Sequence, residues 1–203
     1  SPMLRAAWNG HAEVLRVLIE AGVDIEAKRP HPDLRGTYGK RLCGSTALQS
    51  AAIQGQAGAV RVLLEAGAAP DTIHDDIPTP LICAVEYRHA ETFQLLLEAG
   101  ADPERKNTDG LTPLAIAVKQ IESSEDETFQ IIRLLIEVGA DLQNGCDHDK
   151  TPLHYAFGIC DHDDRTQIIE TLLEAGADRE ARDAFGRTPL WYFQFGWYSD
   201  KIL

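Results

Sequence analysis

Two short motifs alternate along the chain at a nearly constant distance, and this repetition limits the fold more than any other feature. Five apolar stretches end in Glu-Ala-Gly or Glu-Val-Gly, and each is followed by a threonine that opens a Thr-Pro-Leu tripeptide or a close variant. The glycines are Gly22, Gly67, Gly100, Gly139 and Gly176. The threonines, which are 33, 33, 39 and 37 residues apart, are Thr46, Thr79, Thr112, Thr151 and Thr188. This spacing indicates a stack of repeat units of about 33 residues, none of which can bury its apolar face alone.

Each repeat unit has the pattern of two short helices. A threonine before the first helix can accept free N–H groups, and proline at the first helical position loses nothing because that N–H has no partner in a helix. Apolar residues then recur at helical spacing, as in AVRVLLEAG at 59–67, and the glycine supplies the left-handed conformation that ends a helix. In four of five cases, the next threonine stands 12 positions after the glycine, and a polar segment leads from one to the other. We call this polar segment the finger.

The stretches GADPERKNTDGLTPLAIAV at 100–118 and GADREARDAFGRTPL at 176–190 resemble ankyrin repeats, and Thr-Pro-Leu-His at 151–154 is the tetrapeptide typical of that family. The resemblance implies an all-α ankyrin-repeat solenoid of helix-turn-helix units with hairpin finger loops. It covers residues 1–203 as a single domain of six units, the first and last incomplete, which begin near residues 1, 46, 79, 112, 151 and 188. It also implies that the ring of His154 hydrogen-bonds near Thr151 and braces the start of the helix.

Composition and charge limit the partners of the chain. The 203 residues form an acidic protein with a net charge of −13, which repels phosphate, so we expect no nucleic-acid partner. No run of about 18 apolar residues occurs, and the first residues lack the basic-then-apolar layout of a signal peptide. We therefore expect no membrane association and an intracellular location, cytoplasmic or nuclear. Met3 is the only methionine, and we expect it to be the initiator, with Ser1 and Pro2 as a cloning remnant.

The tetrapeptide Cys-Asp-His-Asp occurs at Cys146 and again at Cys160, which raises the question of a zinc site. The predicted first helix of the fifth repeat unit lies between the two pairs. About eight residues at about 1.5 Å each separate the pairs by about 12 Å, whereas all ligands of one zinc ion lie about 2.0–2.3 Å from it. We expect no metal and no other cofactor. The sequence also lacks motifs such as G-x-S-x-G or H-E-x-x-H, so we expect no enzymatic activity.

The finger between the first two repeat units is about twice as long as the others. Its segment 28–45 holds five basic residues and one acidic residue, a charge opposite to that of the remaining chain. Three interpretations stay open: a solvated loop that tolerates insertion, a flap on the protein's own acidic surface, and an arm that meets an acidic segment of a protein partner. For the third, we expect contacts from Arg35, Tyr38, Lys40 and Arg41. We call residues 28–45 the arm.

Aromatic residues crowd the carboxyl end. Phe193 occupies a position at which the other five repeat units have alanine. Small residues there let the next unit approach closely, so a phenylalanine would block a regular seventh unit. We expect residues 188–203 to form an aromatic cap in which Phe193 is buried over the last apolar face. The alternative is an exposed patch for a ligand or partner, with Trp191, Trp197 and Tyr198 as anchors.

The resemblance implies a protein–protein interaction module that binds a polypeptide through its finger loops and the concave surface of its first helices. We expect contacts at positions that the repeat does not need for its own packing. Besides the arm residues, these are Trp8, Ile53, Tyr87, Asp109, His148 and Phe185. The alternative is a small-molecule-binding or enzymatic protein that uses the aromatic carboxyl-terminal region or the concave groove. We expect a monomer.

Overall fold

The computed structural model of the chain describes residues 1–28, 45–72, 78–120, 126–144, 147–158 and 163–195. Within these ranges all regular structure is helical and no strand occurs. The helices are α1 (Pro2–Trp8), α2 (Ala12–Glu20), α3 (Ala47–Ile53), α4 (Ala57–Glu65), α5 (Pro80–Glu86), α6 (Ala90–Glu98), α7 (Pro113–Lys119), α8 (Asp126–Glu137), α9 (Pro152–Gly158), α10 (Asp163–Glu174) and α11 (Pro189–Phe195). A 3-10 turn, Asp147–Asp149, precedes α9. The predicted all-α repeat architecture is confirmed.

The threonines of the repeat motif cap the first helices, as their position predicts. The side chains of Thr46, Thr79 and Thr112 each accept a hydrogen bond of 3.3 Å from the backbone N–H three residues later. This contact satisfies one of the donors that a helix leaves open at its start. At the other end of each repeat, the five motif glycines all have positive φ, between 75° and 99°, and stop the second helix.

The helices form two compact halves, Ser1–Asp102 and Pro103–Leu203. In the amino-terminal half the first helices α1, α3 and α5 pack side by side, and the second helices α2, α4 and α6 form a parallel row beside them. Alanines at the contacts between first helices are buried, which lets the backbones approach closely. Larger apolar residues, among them Leu48, Leu63 and Phe93, fill the space between the two rows.

In the carboxyl-terminal half α9 lies between α7 and α11, and the second helices α8 and α10 pack on α7 and α9. The fourth and fifth repeats extend over 39 and 37 residues instead of 33. Part of this extra length lies in their second helices, because α8 and α10 have 12 residues each, whereas α2, α4 and α6 have nine. Among the described helices, none is long and apolar enough to cross a membrane. That residues 1–203 act as a single domain stays a prediction.

Candidate functional site

We number each finger after the repeat that follows it. The sixth finger, which leads from Gly176 to Thr188, is held by one buried carboxylate. Oδ1 of Asp183 accepts hydrogen bonds from the backbone N–H groups of Phe185 (2.9 Å) and Arg187 (2.8 Å). Oδ2 accepts from Nε of Arg187 (2.8 Å) and from the hydroxyl of Tyr192 (2.6 Å). Burial alone would raise the pKa of Asp183, but these donors outweigh it and hold the pKa below its ordinary value. The carboxylate is therefore charged near neutral pH and fixes the turn around it.

Aromatic rings surround the guanidinium of Arg187. Its central carbon lies 4.5 Å from the ring centroid of Phe185 and 4.8 Å from those of Trp191 and Tyr192. The ammonium of Lys150 lies 5.0 Å from the same Tyr192 ring. Cations over aromatic faces are attracted by the ring quadrupole, most strongly where water is excluded. These contacts connect the base of the finger to α11 and limit the movement of its tip.

The tips of the fifth and sixth fingers contact each other through His148 and Phe185. Their ring centroids are 5.3 Å apart, and the backbone N–H of Ala184 donates a 2.8 Å hydrogen bond to the carbonyl of His148. Phe185 is 58% exposed. His148 and Asp149 both have positive φ, 55° and 59°, where the neighbouring fingers have one glycine. An apolar ring is thus presented to solvent on a turn of fixed geometry.

Asp109 lies on an analogous turn in the fourth finger. The side-chain oxygen of Asn107 accepts from the backbone N–H groups of Asp109 (3.0 Å) and Leu111 (2.9 Å), the same pattern that Asp183 makes. The side chain of Asp109 is exposed. A contact of Asp109 with a partner stays a prediction.

His154 has a structural role. Its Nδ1 accepts hydrogen bonds from the backbone N–H (3.0 Å) and hydroxyl (2.9 Å) of Thr151, so its Nε2 carries the proton and donates to the carbonyl of Arg187 at 3.1 Å. The ring is fully buried, and burial lowers the pKa of His154. The imidazole therefore stays neutral at a lower pH than that of an exposed histidine would. The contact with Thr151 is the one that the resemblance implies.

Gln49 makes the same contacts in the second repeat. Its side-chain oxygen accepts the backbone N–H of Thr46 at 2.8 Å, and its nitrogen donates to the carbonyl of Pro78 at 3.0 Å. A buried side chain at this repeat position therefore connects a first helix to the residue before the next repeat. The equivalence with His154 is visible in the sequence, because both residues stand three positions after the capping threonine.

The expected contact residues of the amino-terminal half differ in exposure. Tyr87, at the end of α5, is 46% exposed, and Trp8, at the end of α1, is half-buried. Both remain candidate contacts. Ile53 is only 5% exposed and belongs to the core, so we omit it from the candidate surface. The expectation that the repeat does not need Ile53 for its own packing is therefore wrong.

Several predicted contacts and ligands lie outside the described residues. These are the arm residues Arg35, Tyr38, Lys40 and Arg41, the cysteines Cys146 and Cys160, and the aromatic residues Trp197 and Tyr198. In the part of the chain that is described, no group of three or more His, Cys, Asp or Glu side chains could hold a metal ion. The absence of zinc stays a prediction.

The expectation of a buried Phe193 is wrong. This side chain is 57% exposed and contacts Phe157 edge-on, with ring centroids 6.4 Å apart. The buried aromatic residue of α11 is instead its neighbour Tyr192, at 1% exposure. The side chain that secures α11 is therefore the one that reaches Asp183. Phe193 and Leu190, which is 52% exposed, are three positions apart and lie on one exposed face of the helix.

Sequence reasoning missed most of the cluster around Arg187. Asp183, Lys150, Arg187 and Tyr192 belong to three different segments, and only the fold brings them together. One signal was present, because Asp183 occupies the same repeat position as Asn107 and both residue types favour turns of this kind.

Comparison with known protein families identifies the repeat. A family model for ankyrin repeats, which contains three copies of the repeat, matches residues 3–107 and 101–183. The two matches together span most of the chain. A search of curated proteins found no match.

Proposed function

Because the chain belongs to the ankyrin-repeat family, we propose that it is an interaction module that binds one polypeptide partner through its finger tips and the ends of its first helices. Ankyrin repeats generally mediate protein–protein interaction. We also propose that the protein is a monomer, that it is located inside the cell, in the cytoplasm or the nucleus, and that it catalyses no reaction.

The observation that carries the proposal is the exposed pair of His148 and Phe185. A phenylalanine that is 58% exposed contributes nothing to the core, yet the turn beneath it is held by Asp183 and Arg187 through four hydrogen bonds and cation–π contacts. A contact residue that is already ordered loses little conformational entropy when a partner binds. Aromatic residues of this kind dominate the energetics of protein interfaces.

The surroundings of the pair indicate what it would contact. Phe185 offers an apolar face, and the imidazole of His148 adds a hydrogen-bonding group at 5.3 Å between ring centroids. A partner segment with an apolar side chain next to a polar group fits both residues. Asp109 extends the surface along the fingers of the same half with a negative charge.

Further contacts are proposed in the amino-terminal half. Trp8 and Tyr87 would contribute large side chains at the ends of the first helices. The arm would approach an acidic segment of the partner, with Arg35, Lys40 and Arg41 supplying charge and Tyr38 an aromatic contact.

Affinity capture from native cell extract tests the proposal with three immobilised proteins: the wild type, Phe185→Ala and Val138→Ala. Val138 is a matched control, because it is 51% exposed and apolar but follows the second helix α8 instead of lying on a finger. We expect proteins that are retained by the wild type and by Val138→Ala to be lost from Phe185→Ala. If all three immobilised proteins retain the same set of proteins, the proposal is contradicted.

A further inference from the structure

The turn of the fourth finger presents an exposed hydroxyl group. The backbone carbonyl of Asn107 accepts the N–H of Gly110 at 3.0 Å, and the side-chain oxygen of Asn107 accepts the N–H groups of Asp109 and Leu111. Thr108 lies inside this turn and is exposed, and its hydroxyl takes no part in these hydrogen bonds. A group added to that hydroxyl therefore breaks none of the bonds that hold the turn.

Two exposed cations precede the turn. Arg105 and Lys106 are both exposed and lie in neither a helix nor a strand. The residue before them, Glu104, attaches the segment to the fifth finger, because its carboxylate accepts the backbone N–H of Asp141 and the side-chain amide of Asn144, each at 2.8 Å. The cations and the hydroxyl thus stand within four consecutive residues of one surface segment.

The spacing of these residues is that of a kinase substrate. Arg105 and Lys106 stand three and two positions before Thr108, and no other serine or threonine of the sequence has Lys or Arg three positions before it. Protein kinases select their substrates in part by the pattern of charge around the acceptor. An arginine beside the acceptor can be bound by kinase carboxylates through paired, charge-assisted hydrogen bonds.

Other threonines of the described structure lack this combination. Thr79, Thr112 and Thr151 stand directly before first helices and are at most 4% exposed, so a kinase cannot reach their hydroxyl groups. Thr166 is exposed, but it lies within α10, and Asp163 stands three positions before it. Exposure, an irregular backbone and preceding basic residues come together at Thr108.

We propose that Thr108 is a phosphorylation site for a protein kinase that selects basic residues three and two positions before the acceptor. In this reaction the Thr108 oxygen forms a bond to the γ-phosphorus of ATP while the bond from that phosphorus to the bridging oxygen of ADP breaks. The hydroxyl proton passes to the base of the kinase, and ADP leaves. The proposal goes beyond the binding of a polypeptide partner and does not depend on it.

Phosphorylation reverses the charge of the finger tip. Residues 105–110 carry two cations and one carboxylate, which give a net charge of +1. A phosphate group adds about −1.5 to −2 near neutral pH, so the tip becomes negative. The phosphate oxygens are strong acceptors, and Arg105 and Lys106 provide charged donors for them on the same finger.

The test incubates the folded chain with Mg²⁺, ATP and the catalytic subunit of cAMP-dependent protein kinase, which has this preference for basic residues. We expect tandem mass spectrometry to locate the phosphate on Thr108 and none on Thr166. Thr108→Ala should receive no phosphate at this finger. The melting temperatures of the phosphorylated and unmodified chains should agree within a few degrees, since the turn is held by Asn107.

A matched pair of arginine substitutions tests the role of the basic residues. Arg105→Gln should lower the initial rate of phosphorylation about tenfold or more, because a charged donor to the kinase is lost. Arg133→Gln removes an exposed arginine of α8 and should leave the rate within about twofold of the wild type. Equal rates for the two variants would overturn the proposal. It is also overturned if the folded chain receives no phosphate on Thr108, whether or not a synthetic peptide of residues 102–111 does.

Discussion

The hydroxyl of Tyr192 donates a 2.6 Å hydrogen bond to the buried carboxylate of Asp183, and so connects the base of the sixth finger to the helix that follows it. Asp183 also accepts two backbone N–H groups of the finger itself. One carboxylate therefore orders both the turn that presents Phe185 and the docking of α11 below it.

Removal of this hydroxyl should destabilise the carboxyl-terminal half. Tyr192→Phe keeps the buried ring but leaves Asp183 with one donor fewer, which is expected to cost about 1–3 kcal/mol because the acceptor is charged. Urea denaturation followed by circular dichroism measures the change. Tyr87→Phe is the control, since Tyr87 is 46% exposed, and it should change the free energy of unfolding by less than about 0.5 kcal/mol. Equal effects of the two substitutions would contradict this role of Asp183.

Stability should fall as the solution becomes acidic, in part through His154. Burial lowers the pKa of this buried imidazole, although the carbonyl of Arg187 and the charge of Asp183 act to raise it, and the charges of Lys150 and Arg187 act to lower it further. The unfolded chain therefore takes up a proton before the folded chain does. The contribution of His154 is complete above about pH 6.5 and is lost as the pH falls through the lowered pKa. Asp183, whose pKa is also lowered, contributes above about pH 3.9 and loses its contribution below that value.

His154→Gln isolates the histidine part of this pH dependence. Gln49 shows that glutamine makes the same two contacts at this repeat position, so the variant should fold. The free energy of unfolding of wild type and variant is compared between pH 7.5 and pH 5, a range chosen around the ordinary histidine pKa of about 6.5. We expect the wild type to lose stability relative to the variant as the pH falls. Parallel curves would show that His154 does not titrate differently in the folded protein.

The turn glycines should differ in their tolerance of a side chain. Gly55 and Gly67 both have positive φ, at 63° and 89°, so an alanine at either costs about 1 kcal/mol of backbone strain. Only at Gly55 would the new methyl group also meet a neighbour, the ring of His89, whereas nothing lies within 4 Å of the position at Gly67. Gly55→Ala should therefore destabilise the amino-terminal half by about 1 kcal/mol or more beyond Gly67→Ala in urea denaturation. The reverse order would contradict the contact.

The helices could be predicted from the sequence because the repeat fixes them locally. A capping threonine, a proline at the first helical position and a glycine with positive φ each act within a few residues, and Thr79, Pro80 and Gly100 are examples that the structure confirms. The errors concern neighbours that are distant in sequence. Ile53 is buried and Phe193 is exposed, and exposure depends on which other repeats pack beside a residue. The pattern within one repeat does not contain this information.

The cluster around Arg187 could not be predicted for a similar reason. Its members belong to the fifth finger, the sixth finger and α11, and its energy comes from contacts between these three segments. By contrast, the exposure of Phe185 follows from its place at the tip of a finger, two residues after a turn-forming aspartate. The exposure of the candidate contact residue Phe185 could thus be predicted from the sequence, whereas the residues that hold its turn could not.

Reversal of charge in the arm should weaken partner binding. Changing Arg35, Lys40 and Arg41 to Glu replaces attraction to an acidic segment with repulsion, and binding of the wild type should weaken as salt rises because exposed charges are screened over about 8–10 Å. Calorimetric titration with the captured partner at two ionic strengths measures both effects.

A control with the same net charge separates the arm from the overall charge of the protein. Arg61, Arg133 and Arg179 are exposed outside the arm, and their change to Glu should affect affinity much less. If the two triple variants bind alike, the arm makes no specific contact. Deletion of about 12 arm residues should leave the melting temperature nearly unchanged, since an inserted loop adds little to the packed repeats.

The affinity of the captured partner for Phe185→Ala, measured by isothermal titration calorimetry beside Val138→Ala and the wild type, tests the proposed function most directly. If the finger tips are the binding surface, Phe185→Ala should raise Kd about tenfold or more, equivalent to about 1.4 kcal/mol, while Val138→Ala stays within about twofold of the wild type. Thermal melts of the three proteins should coincide to within a few degrees, because both side chains are more than half exposed. An unchanged Kd for Phe185→Ala, with the protein folded, would contradict the proposal that the fingers bind the partner.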